Sequence, residues 1–292
     1  MFELVQVAAH TYYIQSPAKI GVYVPDGHNA VLIDSGNDKD AGRKVLKVLT
    51  EQNWVLSAIV NTHSNADHIG GNRYLQSQTG CKVFAGGMEG PFTRWPQLEP
   101  AFLYGGYPCG DLRHKFLLAQ PSDVLDFTDP GFPSALTPIP LPGHFFDMAG
   151  FRTPDDVVFL ADCLCSDATL QKYGVTFLYD VAAYLTTLDA VAQMQAALFV
   201  PAHADATADI APLARRNTAQ VLAVADTLLG LLRAPISFED VLKAVFDHYG
   251  LAMNFEQYVL VGSTVRSYLS WLRDAGKANV LFEDNRMLWV AA

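Results

Sequence analysis

The stretch VNTHSNADHIGG, residues 60–71, decides how the rest of the chain is read. It continues LSAIV, a run of small and β-branched residues with the pattern of a buried strand, and so delivers His63, Asp67 and His68 together at a strand's C-terminal end. α/β folds place their ligands there. Two histidines and a carboxylate within six residues form a metal-binding loop, yet the middle position that would complete the cluster is Asn65.

Working outward, the same arrangement recurs. Asp34 follows VLI, His144 follows PLPG, Asp162 follows VVFLA and His203 follows LFVPA. Each strand-like run ends in one group of ligand type, and this recurrence carries more weight than any single histidine, which alone reads as a hydrogen-bonded structural residue. Between these points, residues 20–36 predict two strands around an Asp26-Gly27 turn, residues 39–54 a helix, residues 69–79 a second helix, and residues 81–86 another strand. Residues 86–122 are crowded with Gly, Pro and aromatics and lack a clear period, so they read as a long surface excursion. Strands return at 136–141 and 156–161, an amphipathic helix covers 179–199, and LFVPAHAD is a strand.

Beyond about residue 209 the strands stop and a long helix runs to Leu232. SFEDVLKAVFDHYG opens with Ser237 and Asp240 in a capping box and ends in Gly250. A helix over GSTVRSYLSWLRDAG and a terminal hairpin around Asp284-Asn285 complete a pattern that resembles a winged-helix module. The expected division is therefore residues 1–208 and residues 209–292.

Composition narrows the function. Half of the 292 residues are apolar, and 30 acidic against 20 basic side chains give a formal charge of −10. Residues 230–292 hold six basic and seven acidic side chains, whereas nucleic-acid binding needs an excess of Lys and Arg on one face. No nucleic-acid partner and no membrane partner is expected. The N-terminal MFELVQVAAHTYY lacks the features of a signal peptide, no apolar run approaches a membrane span, and the four cysteines are too sparse and irregular for a disulfide framework. The expected location is cytoplasmic.

The ordered series Asp34, His63-x-Asn65-x-Asp67-His68, His144, Asp162 and His203 resembles the five motifs of the metallo-β-lactamase superfamily of metallohydrolases, over residues 1 to about 208. The resemblance implies an α+β fold, an αββα four-layer sandwich, here followed by the small winged-helix-like module. It also implies that His63 and Asn65 join His144 in one metal site, that Asp67, His68 and His203 form the other, and that Asp162 bridges the two. Asp34 would support the loop by orienting a ligand histidine or the backbone. Asn65 departs from the pattern: an amide oxygen is a weaker donor than imidazole, so an asymmetric centre is expected with the Asp67 site filled first. One or two divalent ions are implied, zinc foremost, with manganese and iron accepted by the same donors.

The activity this implies is hydrolysis of a small carbonyl substrate, a thioester, lactone, ester or amide. A metal-bound hydroxide attacks the carbonyl, and Asp67 orients it or shuttles a proton. The alternatives are an iron-dependent oxidoreductase on the same fold and a catalytically silent metal-binding protein. Cys163 and Cys165 are expected to pack. His114 is read as a surface histidine rather than a replacement for the missing imidazole. Phe92, Trp95, Phe102, Tyr104 and Tyr107 either wall a substrate pocket or form the excursion's own core. Asp180 is read as an acidic first-turn residue at a helix start, and the C-terminal module is compatible with a homodimer.

Overall fold

The computed structural model describes residues 2–292. Strands β1 (Glu3–Gln6), β2 (Thr11–Gln15), β3 (Ile20–Tyr23) and β4 (Asn29–Ile33) form an antiparallel meander. At the turn into β4, Asp26 Oδ1 accepts from the backbone N–H groups of His28 and Asn29. Helix α1 (Lys39–Glu51) is capped by Asp38, whose carboxylate accepts from Ala41 N, and buries Ala41, Val45, Val48 and Leu49 at helical spacing. β5 (Val55–Val60) then pairs parallel to β4. The short helix α2 (Ala66–Ile69) and α3 (Asn72–Thr79) lead to β6 (Lys82–Phe84), parallel to β5. The first sheet has six strands in chain order.

The second sheet, in the order β10-β9-β8-β7, is built from β7 (Thr137–Pro140), β8 (Ala149–Arg152), β9 (Val157–Cys165) and β10 (Leu198–His203). α6 (Asp167–Tyr173) and α7 (Val181–Gln193) connect β9 to its parallel neighbour β10. Strand alternation assigns the layers. On β4, Ala30 and Leu32 face the cluster with Val45 and Leu49 of α1, while Val31 and Ile33 face Phe151, Val157 and Phe159 of the second sheet. On β9, Val158 and Leu160 turn the other way, onto Leu188 and Val191 of α7. The result is the expected four-layer order of helix, sheet, sheet, helix.

The remaining chain is α8 (Ala211–Leu231), β11 (Ile236–Ser237), α9 (Phe238–Tyr249), α10 (Phe255–Asp274), β12 (Ala278–Glu283) and β13 (Arg286–Ala291). The strands form a small antiparallel sheet ordered β11-β13-β12. Val224 and Leu228 of α8, Val245 of α9 and Tyr268 of α10 belong to the same buried cluster as Leu160 and Leu188. The core therefore runs without interruption from the second sheet into this segment.

Several elements differ from the sequence reading. The excursion holds α4 (Glu89–Arg94), α5 (Leu98–Tyr104) and a 3-10 turn at Gly110–Leu112. α10 begins seven residues before the predicted start at Gly262, because Asn254 caps it by accepting from Gln257 N. β8 and α6 were not foreseen, and β11 adds a strand where none was expected. Asp180 is the N-cap of α7, accepting from Ala183 N, rather than a first-turn residue.

Candidate metal centre

The expected ligands come from both sheets. β5 runs into the loop with His63, Asn65, Asp67 and His68; the β7–β8 loop carries His144; Asp162 lies within β9; His203 ends β10. Three glycines make this convergence sterically feasible. At Gly70 and Gly71 a Cβ would fall 2.3 Å from the backbone of Asn37 and Ser35, so the loop after β5 lies directly on the β4–α1 connection. Gly143, at φ +120, would place a Cβ 2.3 Å from Tyr184 N, and its carbonyl accepts from Tyr179 and Asp180 N–H, which ties His144 to the start of α7. Just before Asp162, Ala161 has φ +50, and the β9–β10 register shifts at Pro201. This bulge-like irregularity lies beside two of the candidate ligands.

Two groups of side chains could each hold a metal ion: Asp67, His68, Asp162 and His203, and His63, His144 and Asp162. His203 Nε2 lies 3.4 Å from Asp67 Oδ2 and 3.3 Å from Asp162 Oδ2. His68 Nε2 is 3.1 Å from Asp162 Oδ1 and 3.6 Å from Asp67 Oδ2. Asp162 Oδ2 is also 3.7 Å from His144 Nε2 and 4.0 Å from His63 Nε2. Among the described residues, His63 Nε2, His68 Nε2 and Asp162 Oδ1 are buried without a hydrogen-bond partner. Buried polar atoms are ordinarily paired, so donors gathered at these spacings without hydrogen bonds fit the demands of a cation.

The Nδ1 atoms of His63, His68 and His203 are fixed. His68 Nδ1 donates to Asp34 Oδ2 at 2.7 Å. Thr62 donates to the same carboxylate from both N, at 2.8 Å, and Oγ1, at 2.7 Å. Because the Thr62 proton goes to Asp34, His63 Nδ1 donates to Thr62 Oγ1 at 3.0 Å. His203 Nδ1 donates to Pro17 O at 3.0 Å. These three partners leave Nε2 of His63, His68 and His203 as the ring nitrogen that could face a cation.

Electrostatics favour positive charge in the first group. Burial opposes ionisation of His68, but Asp162, Asp67 and Asp34 outweigh it and hold its imidazole well above the usual range. The Asp162 charge likewise lifts His203 to about 10 against its burial. Burial works against the Asp67 and Asp162 carboxylates, yet the facing histidines hold both below the ordinary range. In the second group burial dominates: it depresses His63, reinforced by the charge on His68, and it also depresses His144.

Some readings fall outside both groups. His114 Nε2 pairs with Glu256 Oε1 of α10 at 2.9 Å, so it supplies no imidazole to either. Cys163 and Cys165 are free thiols; Cys163 packs in the large core, and Cys165 N donates to Asn217 Oδ1. Phe92 and Phe102 stack edge-on against Phe145 beside His63, whereas Trp95, Tyr104 and Tyr107 are exposed. A polar cavity of about 710 Å³ adjoins His203, with Lys19, Ser166, Asp167, Asp205 and Arg216 in its walls.

Two glutamates were missed in the sequence. Glu89 of α4 accepts from Ser64 N and Oγ on one oxygen, at 2.9 and 2.6 Å, and from Asp147 N on the other, at 2.9 Å. Glu99 of α5 accepts from Asn65 Nδ2 at 2.7 Å. Both are almost fully buried. A signal was available: MEGPF and LEPAF each place a glutamate three residues before a phenylalanine in otherwise apolar surroundings.

The family model of the metallo-beta-lactamase superfamily matches residues 16–203. A hydroxyacylglutathione hydrolase of Methylococcus capsulatus is 39% identical over 139 residues, which cover 48% of this chain and 43% of that protein. One from Pelagibacter ubique is 30% identical over 80 residues, 25% of this chain and 33% of that protein. The chain thus spans less than half the length of these curated relatives. Among solved structures, a metallo-beta-lactamase family protein from Thermus thermophilus has a TM-score of 0.70 at 18% identity, covering 99% of this chain and 97% of its own. A beta-lactamase domain protein from Burkholderia ambifaria has a TM-score of 0.72 at 15% identity, covering 99% and 94%. At these identities the two structures share the fold.

Proposed function

The chain belongs to the metallo-beta-lactamase superfamily, and on that basis we propose that it is a metal-dependent hydrolase of a small carbonyl substrate, with a thioester as the first choice. The observation that carries this reading is the convergence of four imidazoles and two carboxylates in two groups that share Asp162. The thioester is favoured over a lactone, ester or amide by the name of the curated relatives, hydroxyacylglutathione hydrolase.

In this proposal Asp67, His68, Asp162 and His203 hold the first divalent ion, and His63, His144 and Asp162 with Asn65 hold a weaker second. Zinc suits the nitrogen and oxygen donors best, and manganese and iron are accepted by the same set. A bound ion supplies Lewis acidity and brings the pKa of water down toward ~7. Asp67 stays ionised beside His203 and His68, so its carboxylate accepts a hydrogen bond from the attacking water and orients it toward the carbonyl. Asp34 and Pro17 hold the rings of His68 and His203. The cavity beside His203 admits the substrate, and its mixed Lys19, Arg216 and Asp167 lining suits a polar small molecule. Residues 209–292 are proposed to be a winged-helix-like unit that braces the second sheet; with six basic and seven acidic side chains over 230–292, it is not assigned to nucleic acid.

Metal analysis and hydrolysis assays on model thioesters, lactones and esters test the proposal. Asp67→Ala and His203→Ala should each lose the first equivalent of metal and lower hydrolysis by more than ~100-fold, since removing a ligand costs more than removing its supporting partner. Asn65→His should tighten a second equivalent. Unchanged metal stoichiometry in Asp67→Ala, or a wild-type protein inactive with zinc, manganese and iron alike, would overturn the reading.

A further inference from the structure

Asn65 stands at the N-cap of α2, yet its side chain makes no capping hydrogen bond. An asparagine there ordinarily turns its carbonyl oxygen onto the first-turn backbone N–H groups. Here the amide nitrogen is engaged instead: Nδ2 donates to Glu99 Oε1 at 2.7 Å, and among the described residues Asn65 makes no other side-chain hydrogen bond. Glu99 is 4% exposed and lies on α5, 34 residues away in sequence. Next to it in the loop, Ser64 is gripped by Glu89 in the same manner. The excursion thus holds the metal loop at two consecutive residues, one of them the position where the ligand pattern departs from its family.

We infer that Glu99 is a positioning residue for the weak metal site. By taking the Asn65 nitrogen, it sets which face of the amide is turned to α5 and leaves Oδ1 as the donor available to the group of His63, His144 and Asp162. The inference rests on the metal-centre reading above. A freely rotating amide would offer its nitrogen, which cannot ligate a cation, as readily as its oxygen. By accepting from Nδ2, Glu99 Oε1 selects one of the two orientations.

The test is a calorimetric titration with zinc, paralleled by cobalt absorption spectra, on the full chain. Wild type should bind two unequal equivalents. Glu99→Met should weaken the second by roughly 10-fold, the scale of losing a ligand's supporting partner, while the first stays within about twofold. Asn65→His should tighten the second equivalent, and adding Glu99→Met should remove most of that gain, because the imidazole N–H then lacks its acceptor. Glu99→Met that weakens both equivalents alike, or neither, overturns the inference, as does a wild type that binds one equivalent only. If Glu99→Met does not fold, Glu99→Asp, which withdraws the carboxylate by one methylene, must weaken the second equivalent alone, and no change overturns the inference. A wild type that binds no metal at all overturns the metal-centre reading itself.

Discussion

Asp34 receives three hydrogen bonds on two oxygens, one from His68 and two from Thr62. It does so at φ +65, a conformation that asparagine also tolerates. Asp34→Asn therefore leaves the backbone in place but offers one acceptor oxygen and an NH2 group that must face a donor. Metal affinity should fall about 10–100-fold, measured by competition with a chromophoric chelator. Glu89 makes a different prediction. Burial pushes its carboxyl up to about 7, although Ser64 and Asp147 N–H donors pull the other way. The folded chain holds this proton more tightly than the unfolded chain, so the contribution of Glu89 to stability is greatest below about 4.5 and declines as pH rises to about 7. The span is on the order of 3 kcal/mol. Urea midpoints across this range should flatten in Glu89→Gln, at the cost of one of its three hydrogen bonds; an undiminished slope would assign the dependence to another group.

Strands that run as nearly continuous apolar stretches and helices longer than two turns were legible in the sequence. β4, β5, β9 and β10 alternate between two cores, and a one-residue slip in any of them would send each side chain to the wrong core. The candidate ligands were legible because a strand-like run precedes each, although Asp162 lies within β9 and His203 is the last residue of β10. α4 and α5 were not: at six and seven residues they are too short for a helical period, and Pro91 and Pro100 suggest breaks although each lies in a first turn. The grip of Glu99 on Asn65 joins residues 34 apart through the packing of α5 and leaves no trace in spacing. The β7–β8 loop depends on one backbone position. Gly143→Ala would combine a glycine-only φ of +120 with a 2.3 Å approach to Tyr184 N, and should cost more than ~3 kcal/mol in a denaturant titration. It should also displace His144, so the second equivalent of metal should weaken more than the first.

The core shared by the second sheet, α7, α8, α9, α10 and β13 makes the terminal segment part of one packed body. The excursion is secured by Glu89 and Glu99 to the loop after β5 and by the aromatic cluster around Phe145 to the loop after β7. Chemistry-bearing side chains thus lie where four connections meet, while the sheets behind them supply rigidity. The two sheets otherwise face each other through apolar side chains such as Val31, Ile33, Phe151 and Phe159, which resist separation but do not lock direction. His63, Asp67 and His68 belong to one sheet's loop, and His144, Asp162 and His203 to the other's. An ion seated among them is a clasp across the sandwich, and opening the sandwich must release it. Folding and metal concentration are then linked by mass action: at 100 times the dissociation constant, the clasp adds about 2.7 kcal/mol. The midpoint of thermal unfolding should climb steadily with the logarithm of free zinc, and in Asp162→Ala, which takes the shared carboxylate from both groups, it should stay level.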